Sequence, residues 1–97
     1  MGDNMKVCRI NKQSKELIFI NYEGLDEIEI FNNIKDILAN NELIKIGKKI
    51  MGPSEDIYKC KLNNNEFNLI YDIDYGGCIC SENTLVLDEL ETIINNS

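Results

Sequence analysis

Apolar and polar residues alternate from Asp56 to Glu82, and the alternation predicts a three-stranded antiparallel meander. Tyr58, Cys60 and Leu62 are spaced by Lys59 and Lys61, and Phe67, Leu69 and Tyr71 by Asn68 and Ile70. Between the runs lies Asn63-Asn64-Asn65. Asparagine tolerates positive φ, so a two-residue primed turn at Asn64-Asn65 is expected. That turn pairs Leu62 with Phe67, Cys60 with Leu69 and Tyr58 with Tyr71. Directly opposed residues share a face, so these six side chains form one dry surface. The other face carries Lys59, Lys61, Asn68 and Asp72, with Ile57 and Ile70 among them. A slip of one residue would drive both lysines into the core, which fixes the faces.

The second turn contains Gly76-Gly77, which can take positive φ without steric cost. A loop of two or four residues there leaves Cys78 and Cys80 on the dry face with Tyr71 and Ile73. Only an odd-length loop turns them outward beside Asp72 and Asp74. The inward placement is the expectation.

Elsewhere the pattern predicts a short strand over 6–10 and a second over Glu16 to Tyr22, apolar on both faces. A helix follows from about Asp26 to Asn40. Asp26 and Glu29 form a capping box, Leu25 and Ile30 a hydrophobic staple, and Glu27 and Glu29 suit the positive helix end. Ile28, Phe31, Ile34, Lys35 and Leu38 share one helix face, widened by Ile30 and Ile37. The segment Leu43 to Met51 reads as one strand, two strands or irregular chain, with Gly47 as the break. Ser81 or Asn83 caps a last helix whose apolar face is Val86, Leu87, Leu90, Ile93 and Ile94. The order is β-β-α-β-β-β-β-α. An antiparallel sheet of about five or six strands with both helices on one face, a two-layer α+β domain over residues 1–97, is the simplest closure.

The 97 residues carry a net charge of −7 and no histidine. Negative charge of that size repels nucleic acid and anionic membrane, so neither partner is expected. No apolar run reaches the roughly 20 residues of a membrane helix, and Met1-Gly-Asp-Asn-Met-Lys6 is not a signal peptide. A cytoplasmic setting with Cys8, Cys60, Cys78 and Cys80 reduced is expected. Abundant asparagine, isoleucine and lysine is the composition an AT-rich bacterial genome encodes.

Lack of histidine removes the usual general base and every Ser-His or Cys-His nucleophile pair. The expectation is a non-enzyme without a cofactor. Asp72 and Asp74, with Glu82 beyond the glycines, are the candidate ligands for a hard divalent cation. They imitate a calcium loop in part: Asp72, Asp74 and Gly77 fall at its first, third and sixth positions, but Gly76 and Asn83 stand where the fifth and twelfth need ligands. A solvated face beside a turn is the favoured reading. Cys78-Ile79-Cys80 with Cys60 offers thiolates to zinc, although two cysteines flanking one strand residue suit a tetrahedral ion poorly. Soft core filler is favoured over metal. Tyr58, Tyr71 and Tyr75 lie together in this register, and core packing is favoured over a pocket.

The function that the chemistry favours is a protein-interaction module, immunity-type or regulatory, that masks a basic partner. Tyr22, Glu23, Asp26, Glu27, Tyr58 and Tyr75 are the interaction candidates. The alternatives are a small-ligand or cation site at the Asp72–Gly77 turn and a structural homodimer.

Overall fold

The computed structural model describes residues 6–11, 13–20, 26–74 and 76–97. Its strands are Val7–Cys8 (β1), Glu16–Phe19 (β2), Ile44–Met51 (β3), Glu55–Leu62 (β4), Asn65–Asp72 (β5) and Gly76–Cys80 (β6). Its helices are Glu27–Ala39 (α1) and Thr84–Asn95 (α2). The six strands form one antiparallel sheet in the order β1-β2-β6-β5-β4-β3. Among the described residues both helices lie on one face, α1 over β3, β5 and β6, and α2 over β1, β2 and β5. The α+β fold, the element order and the two-layer closure are as the pattern predicts.

Local chemistry explains the helix ends. Glu29 reaches back to accept the Asp26 backbone N–H at 3.3 Å, closing the capping box at the start of α1. Asn83 caps α2 by accepting the Leu85 N–H at 3.0 Å. Ser81 serves another purpose. Its hydroxyl donates to the Glu66 carbonyl at 2.9 Å, locking the start of α2 to β5. The staple residue Leu25 lies outside the described residues. On α1 the buried residues are Ile30, Phe31, Ile34 and Leu38, whereas Ile28 is exposed. The apolar stripe is rotated towards Ile30, because the chain enters α1 with Glu27, Ile28 and Glu29 at the rim.

The turn between β4 and β5 lies one residue earlier than expected. Asn63 and Asn64, with φ of 52° and 77°, occupy it. Leu62 therefore pairs with Asn65, Cys60 with Phe67 and Tyr58 with Leu69. Each partner has moved by two residues. An even shift preserves the faces, so Tyr58, Cys60, Leu62, Phe67, Leu69 and Tyr71 still share the helix-covered side.

The turn between β5 and β6 reverses an expectation. Asp72 pairs with Gly76 and Tyr71 with Gly77, so three chain positions separate the paired ends of β5 and β6. That is an odd length, and it turns Cys78 and Cys80 away from the helices. Ile79 takes the core position and is fully buried. Ile73, expected on the dry face, sits in the loop with 70% of its surface exposed. Gly76 adopts φ 84°, which a side chain would resist. Gly77 lies under α1, where a β-carbon would collide with the Phe19 ring and stand 3.2 Å from Phe31.

Ile44 to Met51 is one strand, broken in register between Ile46 and Lys49. Gly47 lies in that bulge, and a β-carbon there would strike the Lys59 carbonyl oxygen. Bulge and lysines together blunt this exposed edge. No helix among the described residues is long and apolar enough to cross a membrane.

Candidate functional site

The helix-free face of the sheet carries the features that core packing leaves unexplained. Its register aligns one residue from every strand: Cys8 opposite Ile18, Ile18 opposite Cys78, Cys78 opposite Ile70, Ile70 opposite Ile57, and Ile57 opposite Ile50. Opposed residues share a face, so these six apolar side chains form a single row across the whole sheet. No described helix or strand packs over the row. Five of its members are half-buried and Ile50 is exposed.

Polar residues flank the row. On one side Glu16, Cys80, Asn68 and Lys59 are successive partners. On the other, Glu55 stands directly opposite Asp72.

Glu16, Cys78 and Cys80 converge near the middle of this face. One carboxylate oxygen and the two sulfurs all lie within 4.8 Å of one another. They line a concavity of about 410 Å³ together with Ile18, Glu55 and Ile70. The sulfurs act on each other. The Cys78 thiol hydrogen-bonds to Cys80, which pushes the Cys78 pKa up; burial and the nearby Glu16 push it further. The same bond pulls the Cys80 thiol down, against burial and the charges of Glu16 and Glu55. The pair thus gives up its first proton readily and its second with difficulty. Cys60, on the covered face, is 3% exposed, and burial raises its pKa. All four cysteines are free.

Cys60 and the Cys78–Cys80 pair lie on opposite sides of the sheet, so they do not form the thiolate cluster considered from sequence. The third group beside the pair is Glu16, which is paired with Cys80 through β2. The signal for this was the size of Ile79. It is the only bulky aliphatic side chain on β6, and burying it forces its two cysteine neighbours outward.

The other sequence-derived candidates are dispersed. Asp74 lies in the exposed loop, and its N–H donates to the Asp72 carboxylate at 2.7 Å, an Asx turn. Glu82 lies beyond the far end of β6 and pairs with Lys15 at 2.7 Å. Asp72 and Glu82 thus flank opposite ends of one strand. Asp26 caps α1, and Glu27 lies over Gly76 in the first helical turn. Tyr58 faces α1: its ring centroid is 6.0 Å from that of Phe31, and the Lys35 ammonium lies 4.5 Å above the ring. Tyr71 packs 5.3 Å from Phe31. Tyr22, Glu23 and Tyr75 lie outside the described residues.

Comparison with known proteins finds no family model that fits this chain and no characterised protein or solved structure that matches it.

Proposed function

We propose that this chain is a non-catalytic protein-interaction module whose helix-free sheet face docks a basic protein partner. The observation that supports the reading is the apolar row from Cys8 to Ile50. Six aligned apolar side chains on an uncovered face resemble the dry centre of an interface more than a solvated surface. Glu16, Glu55 and Asp72 lie beside the row and would form its polar rim. Net charge favours a cationic partner over a second copy. Two copies of a −7 chain repel as they approach, whereas a cationic partner is drawn in and its encounter accelerated. A chain without histidine also lacks the side chain most often used as a general acid or base.

The test is retention from source lysate at moderate salt on the immobilised wild-type chain and on two variants. Ile57→Lys/Ile70→Lys places charge in the row, and Glu89→Lys changes the exposed face of α2. The reading expects a basic protein held by wild type and by Glu89→Lys and lost from the row variant. A protein retained equally by all three would refute it. Light scattering that showed a stable dimer of wild type, abolished by the row variant, would assign the face to a second copy instead.

A further inference from the structure

We propose that Glu16, Cys78 and Cys80 form a zinc site with one open coordination position, on the helix-free face of the sheet. Ligand positions come from the register. Glu16 is the direct partner of Cys80, and Cys78 lies two residues along the same strand on the same face. Three side chains from two adjacent strands therefore point to one spot, with ligand atoms within 4.8 Å of one another. A zinc ion takes thiolate sulfur at about 2.3 Å and carboxylate oxygen at about 2.0–2.2 Å in tetrahedral geometry. Those bond lengths place ligand atoms about 3.5–3.8 Å apart. The cluster needs to contract by only about 1 Å, which side-chain rotation can supply.

A disulfide is the competing chemistry, and geometry disfavours it. Residues i and i+2 of a strand are about 6.6–6.8 Å apart at Cα, the stretched limit for a disulfide, whose sulfurs must approach to about 2.05 Å. An ion between the sulfurs relieves both demands. The donor set also selects the metal. Two thiolates favour zinc or copper(I), and the carboxylate oxygen moves the balance to zinc. A hard cation such as magnesium would find one suitable oxygen here and two unsuitable sulfurs. Three protein ligands leave the fourth tetrahedral position facing the concavity, as in zinc sites that hold water or an incoming group. On binding, both thiols lose their protons to solvent, so affinity rises with pH.

The site needs no protein partner, so its test is separate from that of the docking face. The metal-stripped chain is titrated with cadmium, whose thiolate bonds absorb in the ultraviolet, and the ion is then displaced with zinc. One cadmium per chain is expected, with the absorption lost in Cys78→Ser/Cys80→Ser. Glu16→Gln should keep the absorption but weaken binding by about tenfold or more, since even changes one shell further out cost that much. No thiolate band at millimolar cadmium, or a band that survives the double substitution, overturns the site. Should the double variant fail to fold, alkylation of wild type gives the answer. Zinc must suppress labelling of Cys78 and Cys80 and leave Cys8 unchanged, and equal labelling with and without zinc refutes the assignment.

Discussion

Asn95, at the last turn of α2, holds Val7 as a neighbouring strand would. Its Oδ1 accepts the Val7 N–H at 3.0 Å and the Lys6 N–H at 2.7 Å, and its Nδ2 donates to the Val7 carbonyl at 3.0 Å. The carboxamide thus satisfies both backbone groups of Val7, whose side chain is fully buried, in a two-residue edge strand. Asn95→Ala strands these partly buried groups and should cost about 1–3 kcal/mol. For a domain of this size that lowers Tm by about 4–8 °C per kcal/mol. Asn95→Asp keeps the acceptor, loses the donor and should fall between. A calorimetric scan of the three proteins measures the order, and equal melting of Asn95→Ala and wild type would show that β1 is held by other means.

Leu69 and Ile70 are neighbours in β5 with opposite fates. Leu69 is fully buried under the helices, whereas Ile70 is half-exposed in the open row. Leu69→Ala should destabilise by about 2–5 kcal/mol, the cost of a core cavity. Ile70→Ala should cost far less, because little packing is lost on an uncovered face. Denaturant midpoints at constant m-value separate the two. Comparable losses would mean that the open face is covered in solution.

The faces of β4 and β5 were legible in the sequence, and the pairing was not. Asparagine at 63, 64 and 65 supplies three residues able to take positive φ, so alternation alone cannot choose which two turn. A two-residue difference in pairing preserves every face. At the next turn the difference is one of parity. Gly76-Gly77 permits loops of two, three or four residues, and each odd step inverts β6. Packing under α1 decides, for Phe19 and Phe31 fill the space where a side chain at position 77 would stand, so Gly77 and Ile79 must both face the helices. Glu16 is illegible in the sequence for the same reason: its companions are set by β2–β6 pairing, which joins residues sixty or more apart in the chain.

Gly77 therefore gives a sharp stability prediction. Gly77→Ala pushes a methyl group into the Phe19 ring and towards Phe31, both buried. Overpacking of that kind typically costs about 1–3 kcal/mol. Shortening one obstacle should recover part of the loss, so Gly77→Ala/Phe19→Leu should be less destabilised than the sum of its single variants. A double-mutant cycle on unfolding free energies reads the coupling. Strict additivity would show that Gly77 and Phe19 are not in contact.

The thiols should differ in reactivity in an order that follows from their surroundings. The thiolate is the nucleophile, so rate depends on exposure and on pKa. Cys80 is half-buried and its pKa is lowered by the Cys78 thiol. The contact with Cys80 raises the Cys78 pKa, and Cys60 is buried with a raised pKa. With a chelator present, alkylation should proceed in the order Cys80, Cys78, Cys60. The Cys80 rate should rise at lower pH than that of an ordinary thiol, and the Cys60 rate at higher pH. Cys78→Ser replaces the thiol donor with a hydroxyl that is itself able to donate, so Cys80 should stay activated. Cys78→Ala removes the donor, and the Cys80 profile should move towards higher pH. Peptide mass spectrometry after timed labelling at several pH values reads each site separately. Labelling of Cys60 as fast as Cys80 in the folded chain would place both on the same side of the sheet, and the three-residue loop that turns β6 over would then be wrong.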